Sequence, residues 1–283
     1  SVRILVTNVV SYKKKTIFLK NALVRVPIRL GQDSFTSGKI SDKNIKRMIK
    51  SMQAFKLLMQ VHEVKDYLAF ATSALRDAKN GSYLVEKVFK KSGIKIEIID
   101  GKKEAKIISN TNIFDTINKE KKFLYVDIGG GSTEFSVLIN GKRNESKSFK
   151  IGTVRMLNSK VEQVTFDEAE AWVRRHTLLH ERISLLGTGG NINKLHKIAN
   201  INDNDPLSYS TLKALYNQLD ALTYEERIVK LGLNPDRSDV ILPAAKLFIK
   251  VLNWSGAKDI YVPKSGLSDG MIRELYKRKK LSF

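Results

Sequence analysis

Cysteine is absent, which excludes disulfide scaffolds and thiolate metal sites. No apolar run approaches the roughly 20 residues that span a bilayer. Neither Ser1, Val2 and Arg3 nor the residues after them form a secretory n-region, h-region and cleavage site. The sequence therefore predicts a soluble, cytoplasmic protein with no membrane partner. Acidic residues are scarce: 29 Asp and Glu against 50 Lys and Arg leave a net charge of +21. Such a field attracts anions, whether nucleic acid, polyphosphate, nucleotides or acidic lipid, and charge alone does not choose among them. The lysine-rich stretches Lys13–Lys15, Lys119–Lys122 and Lys277–Lys280 lack interleaved aromatics, which argues against a specific single-strand nucleic-acid platform. Of the four histidines, His176 and His180 have the i, i+4 spacing of zinc sites but lack both the following Glu and a third ligand, and His62 and His196 have no metal-like spacing.

What is present is a chain of 283 residues, 42% hydrophobic and 28% charged, long enough for one large or two compact domains. Strand and helix periods alternate throughout, which predicts an α/β fold. Strands are expected at Arg3–Val10, Ala22–Leu30, Tyr67–Thr72, Ile94–Ile99, Phe123–Ile128, Glu134–Ile139 and Ser184–Leu186. One helix starts at a Ser41–Asp42 cap and carries Ile45, Met48, Ile49, Met52, Phe55 and Met59 on one face. Others are expected from about Asp167 to Ile183 and from Asp239 to Asn253. The two halves read as a repeat: the strands and tight turn (Asn140, Gly141) of Glu134–Ile151 resemble Arg3 to Leu30, with Ser1 opposite Ser132 or Thr133. In that register the first half lacks an opening strand and glycine turn, so the sequence is expected to begin inside a domain.

The most informative segment runs from Phe123 to Glu134, where a buried strand delivers Asp127 into Gly129, Gly130, Gly131, Ser132 and Thr133. Glycines let main-chain N–H groups approach phosphate oxygens, the hydroxyls add donors, and Asp127 with Glu134 can hold a divalent ion. A plain glycine-rich hairpin is the alternative. A second turn, Gly187, Thr188, Gly189 and Gly190, ends a short strand before a helix and could seat a phosphate at the helix N-terminus, or be an ordinary strand-to-helix turn. Arg76 follows the strand ending at Thr72 and Ser73. It could clamp a phosphoryl group, or be a surface Arg paired to Asp77 or Glu86, which the residues alone favour. Glu104, just after Gly101, could orient or deprotonate a water, although Glu is favoured in any first helical turn.

With these residues in view the chain resembles the exopolyphosphatase and guanosine pentaphosphate phosphohydrolase family, of the actin-like, sugar-kinase and Hsp70 superfamily. The segments that carry the resemblance are 71–76, 101–105, 127–134, 152–155, 187–190, 237–241 and 265–270, in order along nearly the whole chain. The resemblance implies two ribonuclease-H-like (actin-like ATPase) α/β domains with an inter-domain cleft, divided as 1–120 plus 268–283 and 121–267. It also implies release of terminal phosphate from inorganic polyphosphate or guanosine pentaphosphate, with polyphosphate or guanosine penta- or tetraphosphate as the bound partner and magnesium as the divalent cation. By motif, Glu104 would be the general base and Asp127 with Glu134 the metal ligands. Gly129, Gly130, Gly131, Ser132, Thr133 and the Gly187–Gly190 turn would hold phosphate, with Arg76 as its cation.

Three departures from the family pattern stand out. The family's first phosphate loop would end just where this sequence begins, so it is expected either to have been lost or to lie upstream of Ser1; Lys103 replaces the first of two paired glutamates; and the sequence ends after the two-domain core without the helical extension of longer relatives, from which short chains or small nucleotides are expected as the better substrates. A non-catalytic polyphosphate or alarmone sensor is the competing expectation, and a kinase of the same superfamily a third. Homodimer formation stays open.

Overall fold

The computed structural model describes residues 1–13, 15–109, 111, 121–177, 183–263 and 265–280. His180, Lys14, Lys119 and residues 178–182 of the expected Asp167–Ile183 helix lie outside them. The chain divides into two compact units, Ser1–Thr111 with Leu267–Phe283, and Asn112–Gly266.

The first unit opens with an antiparallel hairpin, β1 (Val2–Tyr12) and β2 (Lys15–Val26), followed by α1 (Leu30–Ser37) and α2 (Asp42–Val61). A parallel pair, β3 (Phe70–Ala71) and β4 (Glu97–Ile98), encloses α3 (Ser73–Arg76) and α4 (Gly81–Ser92). The unit closes with α5 (Gly101–Ser109) and, from the end of the chain, α13 (Leu267–Lys280). The strand expected over Ala22–Leu30 ends at Val26. Pro27 has no N–H to continue the ladder, Arg29 turns left-handed at φ 59°, and Leu30 already begins a helix. Likewise Tyr67–Thr72 and Ile94–Ile99 form ladders of only two residues each, although Ile94, Ile96 and Ile99 are buried as a core strand would be. Ser41 caps α2 as expected, accepting from the Asn44 N–H at 3.4 Å, and Ile45, Met48, Met52 and Phe55 bury its inner face.

The second unit carries β5 (Phe123–Ile128), β6 (Thr133–Ile139), β7 (Lys142–Phe149), α6 (Thr153–Leu157), α7 (Gln163–Thr177), β8 (Ser184–Thr188) and α8 (Gly190–Ile198). It continues with β9 (Leu207–Ser208), α9 (Tyr209–Asp220), α10 (Tyr224–Leu231), α11 (Pro235–Ser238), α12 (Ile241–Ser255) and β10 (Asp259–Tyr261). Its strands form one sheet in the order β7-β6-β5-β8-β10-β9, with β5 antiparallel to β6 and parallel to β8. The β6–β7 turn uses positive φ at both Asn140 (53°) and Gly141 (71°), the two-residue geometry that matches the strand twist. Leu124, Val126 and Ile128 of β5 join Phe248, Leu252 and Trp254 of α12 in the core.

Element order repeats between the units: hairpin, short helix, long helix, strand, helices, parallel strand. The second unit adds β9, which pairs antiparallel with β10, and, ahead of its hairpin, β5. In the second unit it joins the β6–β7 hairpin to β8, whereas among the described residues of the first unit the hairpin and the β3–β4 pair are separate two-stranded sheets.

Candidate active site

The chemistry-bearing residues of the second unit gather at the C-terminal end of β5. Asp127 is in register with Glu134 on β6 and with Thr188 on β8. Directly opposed residues of antiparallel strands share a face, so the two carboxylates stand side by side. Glu134 is buried, and its Oε1 accepts the Ser132 hydroxyl at 2.6 Å and the Ser148 hydroxyl at 3.0 Å. Thr133, fully buried, donates to the Ile151 carbonyl at 2.5 Å and pins the start of β6. Between them the loop closes through Gly129 N–H to Ser132 O at 2.9 Å.

The second glycine turn reaches the same carboxylate. Gly189 has φ 107°, and a Cβ there would lie 3.0 Å from Asp127 Oδ1. Gly190 accepts Arg237 Nη1 at its carbonyl at 3.2 Å, and Thr188 shares a hydrogen bond with the Tyr125 hydroxyl at 2.5 Å. Gly187 has a different setting: it is buried in β8, where a Cβ would stand 2.9 Å from Ile260, and close packing accounts for it. Beyond the turn, burial pushes the Lys194 ammonium pKa down, and Lys197 and Arg237 nearby push the same way, so cations crowd this end of α8.

The remaining residues lie in the first unit. Arg76, on α3, donates to the Ile99 carbonyl at 2.8 Å and stands 3.8 Å from Asp77. Glu86, the other partner considered for it, pairs with Lys90. Asp100, the next residue, caps α5: its carboxylate accepts the Lys103 N–H at 2.7 Å and its carbonyl accepts the Glu104 N–H at 3.0 Å. The Ile99–Asp100 step thus ties Arg76 to the helix turn that bears Glu104, whose Oε2 is buried. Lys103 is drawn to Glu97 and lies over the Phe70 ring, 5.2 Å from its centroid.

A magnesium ion keeps several waters and takes only one or two carboxylates, completing its shell from substrate phosphates. The adjacent pair Asp127 and Glu134 fits that demand. Among the described residues there is no cluster of three or more His, Cys, Asp or Glu side chains that could enclose a metal by themselves.

Sequence reasoning passed over three contributors. Ser148 reaches Glu134 from 14 residues away, a pairing set by the β6–β7 register. Asp100 is a helix cap whose position before Gly101 was a readable signal. Arg155 falls in the 152–155 segment, and its Nε donates to the Gly131 carbonyl at 2.8 Å.

An α/β protein with a strand-borne carboxylate pair beside two glycine turns is the class these features define. Residues 10–279 match the Ppx/GppA phosphatase family, and the chain belongs to it. It is 28% identical to the bifunctional 3-dehydroquinate synthase/phosphatase of Fusobacterium nucleatum, over 97% of this chain and 45% of that protein. It is 25% identical to the guanosine-5'-triphosphate,3'-diphosphate pyrophosphatase of Photobacterium profundum, over 92% of this chain and 54% of that protein. The chain thus spans about half the length of these curated relatives. The crystal structure of an exopolyphosphatase from Cytophaga hutchinsonii has the same fold, with a TM-score of 0.85 at 24% identity over 98% of this chain and 94% of that one. Among the described residues no helix is long and apolar enough to cross a membrane.

Proposed function

We propose that this chain hydrolyses the terminal phosphoanhydride bond of inorganic polyphosphate or of a guanosine pentaphosphate. The observation that carries the reading is the glycine loop lying directly beside the in-register carboxylates Asp127 and Glu134. Family membership and the relatives named above support the same reaction class.

In this reading the amides of Gly130, Gly131 and Ser132 bind the terminal phosphoryl oxygens, with the Ser132 hydroxyl orienting Glu134. Arg76 neutralises phosphate charge. Asp127 and Glu134 would hold magnesium, which when bound would offset the charge that builds on the phosphoryl oxygens. Glu104 accepts a proton from the attacking water as the water oxygen bonds to phosphorus. The bridging P–O bond breaks, and its electrons stay on the oxygen of the shortened chain. In-line phosphoryl transfer asks mainly for positioning and charge neutralisation, and this set supplies both.

The test is phosphate release from tripolyphosphate, longer polyphosphate and guanosine pentaphosphate, assayed side by side with and without magnesium. Release that needs magnesium supports the reading; tight binding with no release on prolonged incubation replaces it with the sensor.

A further inference from the structure

The glycine loop is held from behind by a segment to which the proposed reaction gives no role. Three successive loop carbonyls each receive donors from the first turn of α6. Gly129 O accepts Thr153 N at 3.0 Å, Gly130 O accepts Val154 N at 2.9 Å and Arg155 N at 3.3 Å, and Gly131 O accepts Arg155 Nε at 2.8 Å. Gly152, which precedes the helix, presses on the same peptides: a Cβ there would stand 2.4 Å from the Gly130 carbonyl and from the Gly131 nitrogen. No flexible side chain takes up that approach; backbone meets backbone.

A trans peptide is planar, with its C=O and the next residue's N–H pointing in opposite directions. Fixing the carbonyls of Gly129, Gly130 and Gly131 toward α6 therefore turns the N–H groups of Gly130, Gly131 and Ser132 away from it, as one row. None of those three donors meets a backbone acceptor among the described residues. Successive N–H groups sharing a direction form an anion-binding concavity. Glycine peptides rotate easily, so the row exists only while something holds it. Two of the three carbonyls are held by helix N–H groups, which any residue supplies; the third depends on one side chain.

We propose that Arg155 is a positioning residue: its guanidinium locks the Gly131 peptide so that the loop presents three amides to a phosphoryl group instead of two. The proposal rests on the phosphate-binding reading of the loop and adds how the loop is kept ready. It also accounts for Gly152, which no larger residue could replace at this distance.

The test uses Arg155→Met, which keeps the packed stem and removes the donor, in protein labelled with 15N at glycine and serine. Relaxation dispersion of the Gly130, Gly131 and Ser132 amides should be flat in the wild type and show microsecond-to-millisecond exchange in Arg155→Met, with an unchanged melting temperature as the check on folding. On tripolyphosphate the variant should raise KM about tenfold, the loss of one charge-assisted hydrogen bond, while kcat changes less. A flat dispersion profile in Arg155→Met overturns the proposal whatever the activity. If the wild type releases no phosphate and does not bind tripolyphosphate, the hydrolase reading falls, and the dispersion comparison alone still decides whether Arg155 holds the loop. Should Arg155→Met lose its melting transition, Arg155→Leu, which also lacks a donor, is measured in the same way.

Discussion

The Oδ1 oxygen of Asp127 lies 3.0 Å from the point where a Cβ on Gly189 would sit, so the two glycine turns of the second unit meet at a single carboxylate. The consequence is a paired experiment. Gly189→Ala and Gly256→Ala both place a side chain at positive φ; Gly256, in αL at φ 71°, ψ 5°, should lose about 1 kcal/mol for that alone, and Gly189, in the glycine-only region at φ 107°, ψ 167°, about 1–3 kcal/mol. Gly256 has nothing within 4 Å of its missing Cβ, whereas in Gly189→Ala the Asp127 carboxylate, 3.0 Å from the new methyl, must give way by a few tenths of an ångström. Only Gly189→Ala should weaken magnesium activation, by roughly tenfold, a shift worth about 1.4 kcal/mol. Equal activation in the two variants would separate Asp127 from the metal.

Ser148 donates to the oxygen of Glu134 that also accepts Ser132. Ser148→Ala should cost about 1 kcal/mol in thermal or urea unfolding and raise the magnesium concentration needed for half-maximal activity several-fold. Ser148→Thr, which keeps the hydroxyl, should recover most of both.

Gly187 separates packing from binding. A methyl there enters the contact with Ile260, Ile192 and Phe248, so Gly187→Ala should destabilise by about 1–3 kcal/mol. Its KM for tripolyphosphate should stay at the wild-type value; a raised KM at unchanged stability would return Gly187 to the phosphate site.

Asp33 governs part of the acid limb of stability. Burial pushes its pKa up, but hydrogen bonds from the Ser41 hydroxyl, the Ser41 N–H and the Asn44 amide outweigh this and hold it below its ordinary 3.8. A lowered folded-state pKa means stability that is fully present above the unfolded value and is lost as pH falls through the folded one. Asp33→Asn should therefore be less stable than the wild type above about pH 4, and the gap should close below it. Urea midpoints measured from pH 2 to 7 give the answer, and a gap that widens toward acid would contradict it.

The site was legible where the chemistry lies close in sequence and dark where folding assembles it. Phe123–Ile128 was expected as a buried strand and is one, because its apolar run is uniformly buried and ends at glycines, which weaken a strand. The hairpin turn at Asn140 and Gly141 was readable from turn chemistry. By contrast, Ala22–Leu30 looked continuous in its apolar residues, and the break came from Pro27 and a left-handed Arg29. The strands at β3 and β4 were overextended because burial of Ile94, Ile96 and Ile99 imitates a ladder that pairs only two residues. Ser148 and Arg155 could not be read as contributors, since one depends on a cross-strand register and the other binds a main-chain carbonyl, which leaves no trace in residue type.

The proposed general-base role of Glu104 is tested most directly by the rate of phosphate release from tripolyphosphate by the wild type and by Glu104→Gln, with magnesium present. General-base catalysis contributes about 10²–10⁴-fold, so Glu104→Gln should lose at least about 10²-fold in kcat while still binding tripolyphosphate. Turnover by Glu104→Gln at the wild-type rate would contradict the account.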